Sequence, residues 1–574
     1  MFGRILRVNL DEKKVKQEGV AEYHRLQGGR ALISGILLEE MNPHAHPLGK
    51  GNKLILAPGL LSGTAAPCSG RLSVGGKSPL TGGIKESNVG GMACTKMAHL
   101  GIKGVILEGI PDGRGWWIIK IDKDGVDILP ADELIDKETY EVADRLQEKY
   151  GKRVAVISIG PVGEKLMAVA GISVTNMEGH PSRYAARGGL GAVMGSKRIK
   201  AILLDDYGAP ALPYANRQKF TEIVKPWAQE LVRAKSVLTT YGTANLVNVI
   251  NNLGGFPTRN FSSGSFEKAE SLSGEVLKDI TESRGGRTGH PCHQGCIIRC
   301  SNIYHDQERK YLTSSLEYET IGLLGANLGI GDLDDVARLD RMCDEFGIDT
   351  IEIGNAIGVA MEAGLIQFGD IKGVKDLLKE VRRGTLLGRL LGAGALTTAR
   401  VLGIARVSSV KGQGMPAYDP RVLKGNGVTY ATSPMGADHT CANLIPGRAG
   451  FHFDNKNTDM DPTHPNGKIR LSRDLQIMTA VCDSFGFCFF VGATLSNMGI
   501  FAELIRTRYG LDFSVVDVLD IGVETIKREI RFNEAAGLSP RINDLPEFFR
   551  SEPLPPKGHI FEISKEDLIS LFSF

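Results

Sequence analysis

Three closely spaced cysteines restrict most strongly what this chain can fold into. Cys292, Cys296 and Cys300 lie in one short loop, and a fourth cysteine, Cys488, ends the hexapeptide DSFGFC at residues 483–488. A near copy of that hexapeptide, DEFGID, occurs earlier at residues 344–349 and ends in a carboxylate instead of a thiol. These patterns predict a four-thiolate metal site built from two distant segments, and one structural element that is used twice.

The cysteine spacing leaves two kinds of metal site open. A [4Fe–4S] cluster needs four thiolates, and a loop with short gaps can supply three of them. Structural zinc is the alternative, because Cys₄ and Cys₃His sites are common and His290 and His293 lie beside the cysteines. Three-residue gaps differ from the paired CxxC knuckles of zinc sites, so the spacing favours iron–sulfur. The remaining cysteines are predicted to be buried small hydrophobes: Cys68, Cys94, Cys343, Cys441 and Cys482.

The two hexapeptides each follow an amphipathic helix. Their glycines, Gly347 and Gly486, are therefore placed to turn the chain sharply just after the helix end. Such a turn exposes backbone donors and acceptors beside an aspartate, which suits a flat heterocycle. A single copy is an ordinary helix end, so it is the repetition that indicates a ligand.

Two glycine-rich stretches, residues 70–79 and 182–192, contain interspersed arginine and lysine. Bare backbone with cationic side chains suits a pyrophosphate. Glycines that only turn the chain explain either stretch equally well. Neither stretch has the arrangement of a Rossmann fingerprint or a Walker A loop.

Length and patterning predict an α+β multidomain protein, because 574 residues exceed what one hydrophobic core supports. Short apolar runs bounded by Gly and Pro, typical of strands, dominate residues 1–208. Helical spacing dominates residues 209–410 and 411–574. We therefore expect a β-rich cofactor-base domain followed by two mainly helical domains, with the cysteine loop in the first and Cys488 in the second.

The charge balance and the cysteine content restrict which binding partners and which cellular compartment we expect. The chain has 68 Lys+Arg against 66 Asp+Glu, a balance that argues against nucleic acid or an anionic membrane as partner. No uninterrupted apolar run reaches the ~18 residues of a membrane helix. An odd number of cysteines without an export signal predicts reduced thiols in the cytoplasm.

Four ionisable or aromatic residues are candidates without a motif of their own: Glu317, Glu319, Tyr418 and His439. The two glutamates open an apolar helix, where acids commonly only complement the helix dipole. The histidine in isolation is as well explained as a core residue with satisfied hydrogen bonds.

Taken together, these motifs resemble the tungsten-dependent aldehyde:ferredoxin oxidoreductases over essentially the whole chain. The resemblance rests on both hexapeptides and on residues 28–32, 77–82, 187–195, 317–320, 417–421 and 436–439. Several independent motifs in the same order make it specific.

The resemblance implies a tungsten (or molybdenum) bis-pyranopterin, a Mg²⁺ bridging the pterin phosphates and one [4Fe–4S] cluster. It implies an N-terminal β-sheet base under the cofactor and two helical domains that cover it. The implied phosphate and magnesium contacts are Arg71, Asn88, Gly90, Arg183, Ala186 and Arg187. The implied pterin contacts are Asp344, Ile348 and Asp349 for one pterin and Asp483 and Phe487 for the other. The implied cluster ligands are Cys292, Cys296, Cys300 and Cys488.

The implied reaction oxidises an aldehyde with water to a carboxylic acid. Glu319 matches the active-site glutamate, with Glu317 as the fallback, and His439 and Tyr418 match residues beside the metal. Two electrons would pass through the cluster to ferredoxin or to a partner iron–sulfur subunit. The alternatives are a relative that reduces acids or rings, and a non-catalytic iron–sulfur or zinc scaffold subunit.

The chain departs from the family pattern in two places. Three residues separate Cys292 and Cys296 where the best-known members have two, and no Glu-x-x-His motif occurs in residues 332–340. A metal-bridged dimer is therefore not expected, and a homo-oligomer of another kind stays open. We expect the substrate-pocket walls in residues 248–266 and 451–463.

Overall fold

The N-terminal region is built on two six-stranded sheets. The computed structural model describes residues 2–445 and 461–573; most of the predicted pocket wall at 451–463 lies outside them. The strands of this region are β1 (Arg4–Asn9), β2 (Lys14–Gly19), β3 (Leu54–Pro58), β4 (Leu72–Lys77), β5 (Ile84–Val89), β6 (Ile102–Glu108), β7 (Trp117–Ile121), β8 (Val126–Pro130), β9 (Ala155–Ser158), β10 (Ile172–Val174), β11 (Arg183–Ala185) and β12 (Ile199–Leu204). Their spatial orders are β2-β1-β6-β3-β4-β5 and β11-β10-β9-β12-β7-β8.

Each sheet contains one parallel pair, β1 with β6 and β7 with β12, among antiparallel neighbours. Apolar runs near residues 54, 104, 117, 155 and 200 form strands of these sheets, in line with the strand-like pattern predicted for residues 1–208. One apolar cluster includes Leu54 and Val105 from the first sheet and Ile119 and Ile157 from the second. The two sheets therefore share a core.

Five helices accompany the sheets: α1 (Gly29–Glu40), α2 (Ala93–His99), α3 (Thr139–Tyr150), α4 (Pro161–Glu164) and α5 (Leu190–Ser196). After residue 210 helices dominate, as predicted: α6 (Arg217–Ala234), α7 (Ser236–Tyr241), α8 (Leu246–Leu253), α9 (Gly274–Ser283), α10 (Tyr318–Thr320), α11 (Leu333–Phe346), α12 (Thr350–Glu362), α13 (Ile371–Arg383), α14 (Leu386–Gly392), α15 (Ala395–Leu402), α16 (Lys424–Thr432), α17 (Lys468–Phe485), α18 (Leu495–Tyr509), α19 (Val515–Ala535), α20 (Phe548–Ser551) and α21 (Lys565–Ser570). The predicted fold class, a sheet base with a helical remainder, is confirmed. Within the described residues, no helix is both long and apolar enough to cross a membrane.

The cysteine loop has a scaffold that the sequence patterns did not predict. It joins β13 (Arg287–His290) to β14 (Ser301–His305), which pairs with β15 (Tyr311–Ser314) in a small antiparallel sheet. A second small pair, β16 (Ser409–Val410) with β17 (Gln413–Gly414), lies between α15 and α16. The small sheet fixes both ends of the cysteine loop.

The two hexapeptide turns dock on the two large sheets in the same way. Gly347 ends α11 with φ 77° and Gly486 ends α17 with φ 84°, which is the left-handed turn predicted from the helix pattern. The carbonyl of Gly347 accepts a hydrogen bond from the Gly171 N–H, and that of Gly486 accepts one from the Arg71 N–H, both at 3.0 Å.

Glycines at two strand ends make this docking possible. Gly59 follows β3, and a Cβ there would lie 1.9 Å from the Gly486 nitrogen. Gly160 follows β9, and a Cβ there would lie 2.2 Å from the Phe346 carbonyl oxygen. Any side chain at either position would push a hexapeptide turn away from its sheet. Glycine is thus used at both positions where backbone packs directly on backbone.

Candidate active site

A cavity of about 550 Å³ lies where the sheet base meets the helical region. Its walls include the cysteine loop, both hexapeptides and the segment that carries Glu319. The predicted site residues that line it are Arg71, Asn88, Gly90, Arg183, Ala186, Cys292, Cys300, Glu319, Asp344, Ile348, Tyr418, His439, Asp483 and Cys488. Sequence segments that are hundreds of residues apart therefore converge on one space.

Glu319 and His439 form a pair in this cavity. His439 Nε2 lies 3.4 Å from Glu319 Oε1, and the Ala417 N–H donates to Glu319 Oε2 at 2.7 Å. Burial raises the pKa of Glu319, although His439, the Ala417 N–H and Arg187 oppose the rise. Oε1 has no hydrogen-bond partner among the described residues, so this oxygen keeps an unused acceptor position beside His439.

The backbone after Glu319 is unusual. Residues 321–325 form a π-helical turn, a rare conformation that is frequent at functional sites. Tyr418 stacks on Tyr318 with ring centroids 4.8 Å apart and lies 6.1 Å from the His439 ring. Tyr318 in turn donates its hydroxyl to the Ala417 carbonyl at 2.7 Å. Aromatic packing thus holds the backbone at Ala417, whose N–H positions the Glu319 carboxylate.

Glu317 points elsewhere. Its Oε2 accepts a hydrogen bond from Thr243 Oγ1 at 2.5 Å, and its charged neighbours are Arg183 and Arg71. Burial raises the pKa of this carboxyl as well. Glu317 therefore lies on the cysteine-loop side of the cavity, whereas Glu319 is the glutamate beside His439.

Several buried polar atoms around the cavity have no hydrogen-bond partner among the described residues. They are Asn88 Nδ2, Arg183 Nε, Arg187 Nε and Nη1, Asp344 Oδ2, Asp349 Oδ2 and His439 Nδ1. Buried polar groups in proteins are normally hydrogen-bonded, so such exceptions indicate a site for a ligand, an ion or water. Cationic donors on one side and carboxylate acceptors on the other fit a large group with anionic phosphates and ring N–H donors.

Arg187 and Asp349 do not line the cavity but pair behind it. Arg187 Nε lies 3.2 Å from Asp349 Oδ2, outside hydrogen-bond geometry. Arg187 Nη2 also donates to the Ala437 carbonyl at 3.1 Å, two residues before His439. Burial raises the pKa of Asp349, with Arg187 opposing the rise.

Phe487 is a predicted pterin contact, but its side chain is turned away from the cavity. Its ring stacks on Phe501 at 4.3 Å and meets Trp227 edge-on at 5.4 Å, and it is fully buried in that core. Only its backbone remains to contact a ligand.

The structure brings the cysteine loop and Cys488 together through the turn at Cys68. The Cys68 N–H donates to the Gly295 carbonyl at 2.9 Å, and the Cys488 N–H donates to the Cys68 carbonyl at 2.8 Å. The sulfurs of Cys292 and Cys296 and a ring nitrogen of His293 lie within 4.8 Å of one another. Two distant stretches of chain therefore meet at this loop, and the close group of possible ligand atoms contains Cys292, His293 and Cys296.

The four predicted ligand cysteines differ from the other five in accessibility. Cys292, Cys296, Cys300 and Cys488 are 6–8% exposed, whereas the other cysteines are at most 1% exposed. All nine are free thiols. Burial raises the pKa of Cys488 to about 11, so a metal that binds there has to displace the thiol proton.

Sequence reasoning missed two charged residues that shape the site. Lys85 pairs with Asp438, the neighbour of His439, at 2.5 Å with both side chains at most 3% exposed. Arg30 contacts Asp483 at 3.3 Å. A lysine within β5 and an arginine within the apolar helix α1 were the available signals, because a cation in such a setting requires a buried partner.

Comparison with known proteins gives the family. A model of the aldehyde ferredoxin oxidoreductase N-terminal domain matches residues 5–206, and a model of domains 2 and 3 of the same family matches residues 222–571. This chain belongs to the aldehyde ferredoxin oxidoreductase family. The family predicted from the sequence motifs is thus confirmed.

Members of the family from archaea are similar over nearly their full length. The chain is 36% identical to a tungsten-containing aldehyde ferredoxin oxidoreductase of Thermococcus kodakarensis and 34% identical to one of Pyrococcus furiosus, covering 98% of this chain and 94% of each relative. It is 26% identical to the WOR-like subunit of an aliphatic sulfonate oxidoreductase of Pyrococcus furiosus, over 78% of this chain and 76% of that protein.

The fold also occurs in a solved structure, the active-site complex BamBC of benzoyl coenzyme A reductase with a dienoyl-CoA. The TM-score is 0.80 at 18% identity, covering 100% of this chain and 93% of that one. At this identity the likeness concerns the fold alone. The fold of that complex is therefore shared over the whole length of this chain.

Proposed function

We propose that this protein is a tungsten enzyme that oxidises aldehydes to carboxylic acids and passes the electrons through a [4Fe–4S] cluster to ferredoxin or to a partner iron–sulfur subunit. Its relatives, the tungsten-containing aldehyde ferredoxin oxidoreductases, support aldehyde oxidation. The observation that carries the proposal is one cavity shared by the Glu319–His439 pair, both hexapeptides and three of the four predicted ligand cysteines.

The residues around the cavity fit a bis-pyranopterin with a bridging Mg²⁺. The cationic and amide donors Arg71, Asn88, Arg183 and Arg187, with the backbone of Gly90 and Ala186, would hold the phosphates and the magnesium. Asp344, Ile348 and Asp349 would hold one pterin, and Asp483 and the backbone of Phe487 the other. The unpaired donors and acceptors described above support this assignment. When bound, tungsten in such a cofactor supplies two-electron redox chemistry.

The four cysteines Cys292, Cys296, Cys300 and Cys488 would hold the cluster. Their convergence through the Cys68 turn supports a single site. Zinc remains the competing metal for the same thiols, and its presence is decided by metal analysis. Nine free thiols support a reducing compartment, so we further propose a cytoplasmic location.

Glu319 is proposed as the general base. The net reaction, aldehyde plus water to acid with two protons and two electrons released, requires a group that removes a proton from water. Glu319 Oε1 accepts no hydrogen bond from the described residues, and burial raises the pKa of this carboxyl, which makes it a better proton acceptor. His439 Nε2, 3.4 Å away, would donate to the substrate oxygen or stabilise the charge on Glu319, and the Tyr418 hydroxyl is a second donor.

Metal analysis joined to an aldehyde panel tests the proposal. We expect purified protein to contain iron together with tungsten or molybdenum, and to reduce a viologen dye in an aldehyde-dependent manner. Iron without either heavier metal would support the scaffold alternative. Dye-linked turnover with acids or ring compounds, and none with aldehydes, would support the alternative of a family relative that reduces acids or rings.

A matched pair of variants tests whether Glu319 is the general base. Glu319→Gln should lower kcat by about 10²- to 10⁴-fold, the usual contribution of a general base, at unchanged tungsten content. Glu317→Gln removes the same charge two residues away and should retain most of the activity. The reverse pattern would transfer the role to Glu317.

A further inference from the structure

The surface outside the cysteine loop carries a cationic and apolar patch. Four segments surround the predicted cluster ligands: residues 62–69, 231–242, 294–299 and 489–494. They contain the cations Arg233, Lys235 and Arg299, and no aspartate or glutamate. The whole chain has a formal charge of only +2, whereas these four segments alone contain three cations.

Contacts inside the protein tie these segments to the cysteines. The Thr239 hydroxyl donates to the Ile298 carbonyl at 2.7 Å, which fixes α7 on the cysteine loop. The last turn of α6 and α7 line the same cavity as Cys300 and Cys488. A Cβ on Gly242 would lie 2.7 Å from the Cys300 carbonyl oxygen, so the chain after α7 passes directly over that ligand.

The outer face of this region is open to solvent. Val232 and Val237 are 53% and 57% exposed, and Arg233 and Arg299 are exposed while Phe490 is half-buried. Among the described residues no carboxylate forms an ion pair with Arg233 or Arg299. An apolar centre with unpaired cations at its edge is the composition of a surface for a charged, transient partner.

We propose that Val232, Arg233, Val237, Arg299 and Phe490 form the docking surface for a small acidic electron-carrier protein. This inference rests on the proposed function, because the cluster behind the surface is the source of the electrons. The partner is expected to be acidic because Arg233 and Arg299, which form no ion pair with a described carboxylate, favour a negatively charged face and oppose a basic one. Docking here places the carrier against the loop that holds Cys296 and Cys300.

Charge-reversal variants of the metal-loaded protein test the surface. Arg233→Glu and Arg299→Glu should each raise the KM for an acidic ferredoxin, used as the probe, by about five- to tenfold at low salt. The difference should shrink at high salt because the charges are exposed. Dye-linked aldehyde oxidation should stay at the wild-type rate. Direct binding of the probe, measured by calorimetry, should weaken in the same proportion.

Arg400→Glu is the matched control. Arg400 is an exposed arginine on α15, which packs on α12 and α14 away from the cysteine loop, and its reversal should leave the KM for the ferredoxin unchanged. Arg299 lies beside a predicted ligand, so the iron content of each variant is measured. If Arg299→Glu loses iron, the test of the docking surface rests on Arg233→Glu.

An unchanged KM and unchanged binding in Arg233→Glu would overturn the docking surface. Failure of the proposed function looks different, because wild-type protein would then lack aldehyde-dependent dye reduction altogether.

Discussion

The ion pair between Arg30 and Glu529 gives a prediction whose size follows from its burial. Arg30 lies in the first turn of α1 and Glu529 lies on α19. The guanidinium donates to both carboxylate oxygens, through Nε at 2.7 Å and Nη2 at 2.9 Å. Both side chains are 1% exposed. Arg30 also lies 3.3 Å from Asp483 in the second hexapeptide.

Replacing Arg30 by Ala should destabilise the packing of α1 on α19 by about 3–5 kcal/mol, because Glu529 would be left charged and buried without a partner. That free energy corresponds to at least about a 100-fold rise in the population of the locally open state. Hydrogen exchange measured by mass spectrometry reports such opening. We expect the amides of α1 and α19 to exchange at least about 100-fold faster in Arg30→Ala.

Arg145 and Glu141 on α3 form the control, because their contact is equally short, at 2.7 Å, but the side chains are 47% and 41% exposed. Arg145→Ala should change stability by no more than about 0.5 kcal/mol. The double replacement of Arg30 by Met and Glu529 by Leu should recover most of the lost protection, since no unpaired charge remains on α19. Wild-type exchange rates in Arg30→Ala, or an equal effect of Arg145→Ala, would refute the reasoning.

Two further predictions concern the cysteines and pH. Cys488→Ser should lose iron whereas Cys482→Ser, six residues earlier on α17 and fully buried, should keep it; equal iron content in the two proteins would remove Cys488 from the ligand set. Burial would raise the pKa of Asp334, but hydrogen bonds from Arg284, Gln307 and Tyr304 outweigh it and lower the pKa to about 2. A carboxyl with a lowered pKa stabilises the fold above its unfolded-state value, so this contribution should be full above about pH 4 and disappear between about pH 4 and pH 2. Asp334→Asn should remove that part of the acid dependence in unfolding monitored by circular dichroism, and an unchanged acid profile would contradict it.

The choice between Glu317 and Glu319 shows where sequence reasoning stops. Both glutamates match the motif, and residues two apart on a helix point to different sides. Only the tertiary structure decides that Glu319 lies 3.4 Å from His439 while Glu317 bonds Thr243. The same holds for Lys85 and Asp438, whose pairing joins β5 to a loop more than 300 residues away.

By itself the sequence determined the features that short-range physics controls. Gly347 and Gly486 end their helices in left-handed turns because the amphipathic pattern stops there and only glycine adopts that turn without strain. The sequence also predicts thiolate ligands, since cysteines are concentrated in one loop and one turn. The sheet order, the small sheet that holds the cysteine loop and the Cys68 turn that joins it to Cys488 were decided by tertiary structure. These contacts link residues far apart in the chain, and their energy depends on packing partners that no local pattern specifies.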